Sequence, residues 1–385
     1  MKIGLVLAYK GVNYGMLLQA FATQRKIEEL GYKTEIIDYS RVGYKCIRFS
    51  PYLPFFFASE ALKTLRNRKN VPELDEKHKE NIIERKKVSN EFIERCLLRR
   101  VKINGIDSLK KYTKENYNGV LVGSDQIWPP DAAFGNFTTL RFVPDEVNKI
   151  SYATSLGVSK YPFWCKSSAA DFMRRINHIS VREEQGKNII GNFLNKEVKI
   201  VTDPTYLFTR EQWLELIPSE PNLEDDYILC YFLGNTKEHK QLARRYADHL
   251  NKKLISILST ESYSDIDISY ADKIVSGVGP ESFVNLVRHA AIVMTDSFHG
   301  VAFSVINNKQ FYVFYRTVVG SKNSRNSRID NILKLWGLES RLILNNTSVD
   351  DFPRQKINYA EVNERVASKR KYSIEYLMTA LAYCK

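Results

Sequence analysis

Cysteine is scarce: Cys46, Cys96, Cys165, Cys230 and Cys384 are the five in 385 residues, and no two form a C-x-x-C pair. An odd count at such wide spacing excludes a disulfide framework and a structural zinc site, and fits a reducing compartment. Long apolar runs are missing too. A membrane-spanning helix needs about 18 consecutive apolar residues, and no stretch supplies them. The N-terminal "KIGLVLAY" is short and runs into a loop, so it is expected to be a buried strand rather than a signal peptide. The loop that follows, "KGVNYG", lacks the G-x-G-x-x-G spacing of a dinucleotide site. No nucleic-acid motif occurs, and no cluster has metal-ligand spacing. Neither a metal nor any other cofactor is called for.

Positive charge is plentiful. Lys plus Arg total 57 against 44 Asp plus Glu, a formal balance of +13. Such a surplus favours anionic partners, though solubility charge on exposed helices would produce the same number.

The order of apolar runs gives the architecture. A strand (2–9), a helix ("MLLQAFATQRKIEELG") and a second strand ("KTEIIDY") form a β-α-β unit, whose right-handed crossover makes the sheet parallel. Further strands are expected at 118–128, 149–157, 178–186 and 198–207. The Pro- and acid-rich "LIPSEPNLEDD" (216–226) reads as a linker, after which strands and helices alternate again. The expected fold class is α/β, with two doubly wound Rossmann-like domains facing a cleft: residues 1–220 (with an insertion at about 40–118) and 227–345. A C-terminal helix at 355–385 would pack back on the first domain.

Open parallel sheets bind ligands at the carboxyl ends of their strands. Those ends carry Asn13-Tyr14-Gly15, Asp125-Gln126, Arg182-Glu183, Thr202-Asp203-Pro204-Thr205, Gly234-Asn235 and Asp296-Ser297-Phe298-His299-Gly300. Capping and turn formation account for many such residues, and Asp203-Pro204 reads as a turn. "TDSFHG" asks for more. Asp296 or Ser297 caps the following helix, whose first turn then presents free N–H groups and His299 to an anion. Downstream, Lys322, Arg325 and Arg328 form either a solvated basic loop or a clamp for carboxylate or phosphate.

In order, "NYGMLLQAFATQ", "VLVGSDQIW", "ISYATSLG", "ISVREEQG", "VTDPTYL" and "TDSFHGVAFSVINNKQF" resemble the polysaccharide pyruvyl transferase family. The resemblance implies a GT-B-like fold and a pyruvyltransferase acting in polysaccharide biosynthesis. The donor would be phosphoenolpyruvate and the product a pyruvate ketal on two hydroxyls of one sugar. The acceptor would be an exopolysaccharide, capsule or lipid-linked glycan precursor. On this reading His299, Asp125 and Glu183 are the catalytic candidates. Ser297, Phe298, Gly300, Arg182, Arg328, Gly234 and Asn235 would bind the donor. Asn13, Tyr14, Gln19 and Gln126 would line the acceptor side. The expected location is cytoplasmic, with Phe55, Phe56 and Phe57 and their neighbouring bases either a buried plug or a contact with anionic membrane. A nucleotide-sugar-dependent GT-B glycosyltransferase is the competing enzyme reading, and a basic binding protein the non-enzymatic one.

Overall fold

The computed structural model describes residues 1–40, 75–158, 160–220, 225–317, 326–344 and 347–384, together with 54, 55, 57, 58 and 61. Phe56, Lys322, Arg325 and part of the expected linker (221–224) lie outside the described residues.

Two parallel sheets organise the chain. The first comprises β1 (Lys2–Val6), β2 (Lys33–Ser40), β3 (Arg100–Asn104), β4 (Gly119–Asp125), β5 (Asn148–Thr154), β6 (Ser180–Val181) and β7 (Lys199–Ile200). Its spatial order is β3-β2-β1-β4-β5-β6-β7. The second comprises β8 (Tyr227–Tyr231), β9 (Leu254–Ile257), β10 (Lys273–Val275), β11 (Ala290–Thr295), β12 (Gln310–Phe314) and β13 (Leu342–Ile343), in the order β10-β9-β8-β11-β12-β13. Strand order reverses between β1 and β4 in one sheet and between β8 and β11 in the other. At each reversal the flanking connections leave toward opposite faces, which opens a crevice at the carboxyl ends.

The helices, in chain order, are α1 (Tyr14–Glu29), α2 (Glu76–Cys96), α3 (Ile106–Asn116), α4 (Phe163–Arg174), α5 (Glu184–Gly191), α6 (Arg210–Leu216), α7 (Lys237–His249), α8 (Pro280–His289), α9 (Phe298–Ile306), α10 (Ser327–Trp336) and α11 (Tyr359–Ala382). Residues 100–118, expected within an insertion, instead supply the edge strand β3 and the helix α3, which extend the first sheet. Their polar, short apolar pattern hid them: only Ile103 of β3 is buried.

Strand β1 is apolar on both sides because both faces are covered. Ile3 and Leu5 enter one core, Val6 the other. The first of these cores is shared by the two sheets. Helix α1 is buried nearly all round, as befits a helix packed between layers. Its Tyr14 stacks on Phe283 of α8 at 4.8 Å and touches Tyr231 of β8 at 5.5 Å. Helix α2 ties the sheets from a second side. Arg85 donates to the Leu258 carbonyl (2.7 Å) and to Thr260 Oγ1 (3.3 Å), with its guanidinium 4.5 Å from the Tyr14 ring. Helix α11 closes the first sheet from behind. Ser373 Oγ receives the Thr202 N–H (3.0 Å), Tyr376 donates to the Ser151 carbonyl (2.9 Å), and Asn148 donates to the Ala380 carbonyl (3.1 Å).

A shared core makes a local prediction. Phe283 is fully buried and contacts the rings of Tyr14, Tyr231 and Phe303. Phe283→Ala should lower stability by about 3–5 kcal/mol, and urea unfolding should move together by tryptophan fluorescence and by circular dichroism. A variant in which only one probe shifts would contradict a continuous core.

Candidate active site

The "TDSFHG" corner is the exit of β11 and the start of α9. Ser297 is the cap, accepting the Gly300 N–H at 3.4 Å. Asp296 does something else. Its two oxygens accept the N–H groups of Leu233 (2.7 Å) and Gly234 (2.8 Å), fastening the exit of β8 to that of β11. Thr295 Oγ1 donates to the Tyr231 carbonyl (2.6 Å) and accepts the Ser297 N–H (3.0 Å). Gly300 must be small, since a Cβ there would sit 2.4 Å from Thr295 Oγ1.

This clamped corner sends His299 across to the other sheet. Its ring lies against Gly15 of α1, where a Cβ would be 1.8 Å from Nδ1. Its Nε2 is 3.6 Å from Asp203 Oδ2, an ion-pair distance too long for a hydrogen bond. Buried Nε2 has no hydrogen-bond partner among the described residues.

Asp203 is the meeting point. Oδ1 accepts from Thr205 N (3.0 Å) and Thr205 Oγ1 (2.8 Å), which makes the turn expected at Asp203-Pro204. Oδ2 accepts from Arg182 Nη1 at 3.0 Å. Burial by itself would raise the Asp203 pKa, but His299 and Arg182 outweigh it and hold the carboxyl well below the usual range. Arg182 is gripped on three sides: by Asp203, by Asp125 Oδ1 (3.3 Å from Nη2) and by Glu183 Oε1 (3.3 Å from Nε). Burial opposes its charge, but those three carboxylates raise its pKa above the ordinary value. Glu183 also accepts from Ser155 Oγ at 2.8 Å. Asp125 ends β4 with φ +67°. Burial works against its ionisation, yet Arg182, His299 and Arg328 lower its pKa.

Arg182 is therefore a brace more than a free anion receptor, because each of its three nitrogens already faces a carboxylate. Arg328, in the first turn of α10, is different. Burial and the nearby Arg182 push its pKa down to about 10, with Asp125 only partly offsetting them. Its Nε has no hydrogen-bond partner among the described residues. Arg328, Arg316, Phe298 and Asp296 line a crevice of about 10 Å³, room for roughly one water. The Phe298 ring forms its base, 4.6 Å from the Arg182 guanidinium. Larger hollows exist on the far side of the first sheet. Size is the weaker guide here, because Arg316, Arg328 and the Asp296 carboxylate converge on the narrow crevice.

The residues expected on the acceptor side divide. Asn13 caps α1 (Met16 N–H, 3.2 Å) and its Nδ2 reaches Glu261 Oε1 of the second half at 2.7 Å, spanning the cleft mouth. Gln126 lies half-exposed beside Gly157. Tyr14 offers no surface, being fully buried in the aromatic contact described above. Gln19 is also internal, bonded to the carbonyls of Ala8 (2.9 Å) and Met16 (2.8 Å) and to Ser124 N (3.2 Å). It braces the backbone beside Asp125. Asn235 is exposed, next to Gly234 at the exit of β8. Two residues escaped the sequence reading, Arg316 and Glu261, and Asp203 was read only as part of a turn. Arg316 sits 3.3 Å from Glu261 Oε2 and 3.9 Å from Asp296 Oδ2.

The model of one family, described as polysaccharide pyruvyl transferase, matches residues 13–317. The match takes in every strand exit of this cluster. The chain belongs to the polysaccharide pyruvyl transferase family. No curated protein matches it. Among solved structures, it is similar to UDP-GlcNAc 2-epimerase from Methanocaldococcus jannaschii (13% identity, 95% of this chain and 92% of that one, TM-score 0.52). It is also similar to a putative UDP-N-acetylglucosamine 2-epimerase from Listeria monocytogenes (11% identity, 99% and 95%, TM-score 0.51). At these identities the likeness is one of fold, and the fold is of GT-B type. The pyruvyl transferase is thus a transferase of polysaccharide biosynthesis whose two sheets meet at the Arg182–Asp203–His299 cluster.

The Asp203 charge can be tested by its acid limb. A carboxylate whose folded pKa is depressed contributes stability that is complete above its unfolded pKa, about 3.9, and fades as the pH falls below it. Asp203→Asn should therefore cost about 1–3 kcal/mol at pH 7, and the gap to wild type in urea titrations should narrow below about pH 4. A constant gap down to pH 3 would show that the charge is not the source of the stability.

Proposed function

We propose that this member transfers the enolpyruvyl unit of phosphoenolpyruvate to two hydroxyls of one sugar in a polysaccharide or lipid-linked glycan precursor. The observation that carries the reading is the Arg328 cation. Partial burial and two neighbouring arginines disfavour its charge, so an anion at the mouth of the crevice would relieve it. The α9 N-terminus, with N–H groups from Phe298 onward, faces the same rim and adds a favourable dipole.

The chemistry balances as follows. One sugar hydroxyl adds to C2 of the enol while C3 gains a proton and becomes a methyl group. The second hydroxyl then displaces phosphate from C2, its proton leaving with phosphate or to solvent. The product is a cyclic ketal bearing a carboxylate. His299 is assigned to the donor phosphate and to proton delivery at C3. Asp125, held ionised against its burial chiefly by Arg182, is assigned to proton removal from a hydroxyl, with Glu183 the other candidate. Arg182 holds these carboxylates in place. Asn13 and Gln126, at the cleft mouth, are assigned to the acceptor.

The fold is shared with nucleotide-sugar enzymes, yet that likeness extends only to architecture, and the family points to pyruvyl transfer. A lipid-linked acceptor would give the exposed aromatics a purpose. Phe55 and Phe57 are about half exposed and Phe163 is 67% exposed, with the Phe55 and Phe163 rings 6.2 Å apart. No described helix is long and apolar enough to cross a membrane, so the proposed contact is peripheral, at the cytoplasmic face.

Three outcomes are expected. His299→Ala should keep a cooperative melt within a few degrees of wild type while phosphate release from phosphoenolpyruvate with acceptor falls about 10²- to 10⁴-fold; wild-type turnover would remove His299 from the chemistry. Donor affinity should be flat from neutral pH upward and fall as Arg328 loses its proton near pH 10. Affinity unchanged through that range would show that Arg328 does not hold the donor. Phe163→Ser should weaken co-flotation with vesicles containing anionic lipid at low salt, and equal flotation of the two proteins would remove this surface from any membrane contact.

A further inference from the structure

One hollow among the described residues is unrelated to the charged rim. It measures about 640 Å³ and lies between α5, the 192–200 segment and α11. A second hollow of about 420 Å³ adjoins it, and the two share Lys196, Glu197, Lys199 and Tyr372. Together they form a trough. Asn177 to Ile179 and Lys196 to Val198, which line it, precede β6 and β7. In a parallel sheet this puts the trough at the amino ends of the strands, opposite the rim that holds His299.

Its walls are chemically mixed. Lys199 pairs with Glu197, and the Lys196 ammonium is bonded to the carbonyls of Arg174 (3.3 Å) and Ile176. Lys187 on α5 and Lys369 on α11 are exposed on opposite walls and form no ion pair among the described residues. Asn188 and Asn192 add amides. Tyr372 is 40% exposed and offers a ring face.

Each ligand class wants something different from such a surface. A polyphosphate or nucleic acid would want cations unrelieved by carboxylates, and here Glu197 and Glu375 stand among the lysines. A lipid surface would want an apolar rim. A sugar chain wants amides and carboxylates for its hydroxyls, a ring to lie on, and cations where it carries a carboxylate. The volume is in the range of ligand-binding sites, roughly 300–1,000 Å³.

We propose that this trough binds a stretch of acidic glycan, a hydroxyl-rich chain bearing scattered carboxylates, and so holds polysaccharide at a distance from the reacting end. The inference rests on the family's polysaccharide acceptor and is independent of the donor chemistry in the cleft. It follows that pyruvate ketals, which are carboxylates, would themselves strengthen the hold on a chain already modified.

The test is direct binding to the full chain without phosphoenolpyruvate. Isothermal titration with a galacturonate hexamer should show binding that weakens with added salt, and its methyl ester should bind at least about tenfold more weakly. Lys187→Gln combined with Lys369→Gln should weaken hexamer binding by about tenfold, and Tyr372→Ala should weaken hexamer and ester alike. All three positions are exposed, so the fold and turnover of a short acceptor should be untouched. The proposal is overturned if the wild-type chain does not bind the hexamer or binds it no better than the ester, or if the lysine variant binds it unchanged. It is equally overturned if inorganic phosphate or anionic vesicles, and not the hexamer, are what lose affinity in the lysine variant. Failure of pyruvyl transfer with hexamer binding intact would count against the cleft reading alone.

Discussion

Everything at the junction of the two sheets turns on one carboxylate that is shared between them. Asp203 Oδ2 faces Arg182 from its own sheet and His299 from the other. A buried charge survives only when paired. The pairing here requires α9 to begin where it does, α1 to carry a glycine under the imidazole, and the segment after β7 to turn at Pro204. The Asp296 latch and the Ser297 cap fix the first condition. The shared aromatic core around Tyr14 and Phe283 keeps the sheets in register for the second.

Two arginines beside this carboxylate have opposite electrostatic situations. Three carboxylates face Arg182, which is why its pKa rises against its burial, and its positive charge in turn helps to keep Asp125 and Asp203 ionised. Arg328 is under-supplied with negative charge, and its pKa falls. The rim thus sets a carboxylate-rich interior beside a cation, Arg328, whose Nε has no hydrogen-bond partner among the described residues. Such a gradient suits an anionic donor that must be held beside carboxylates without displacing them.

Much of the fold was legible in the sequence, because strands buried on both faces write continuous apolar runs, as β1, β4 and β11 do. Strand β3 was not, since its one buried residue gives no run, and the strands expected at 178–186 and 198–207 shrink to the two-residue β6 and β7. At the site, His299, Ser297, Arg182, Asp125 and Glu183 were legible as polar residues at strand exits, and the structure gathers them. Asp203 was not, although the "TDPT" motif was visible. A turn explains one of its oxygens, and only the fold brings Arg182 and His299 to the other. Tyr14 misled for a related reason. A tyrosine after an Asn cap looks exposed, and the ring that buries it, Phe283, is remote in sequence. Glu261 and Arg316 had no local signal, because their partners lie across the cleft or at the exit of another strand.

Under the proposed function, phosphoenolpyruvate sits at the rim around Arg328 and His299. The most direct test is calorimetric titration of the wild-type chain with phosphoenolpyruvate and, separately, with UDP-GlcNAc. One phosphoenolpyruvate should bind per chain, competed by inorganic phosphate, with no heat from the nucleotide sugar. Saturable binding of UDP-GlcNAc with none of phosphoenolpyruvate would contradict this reading.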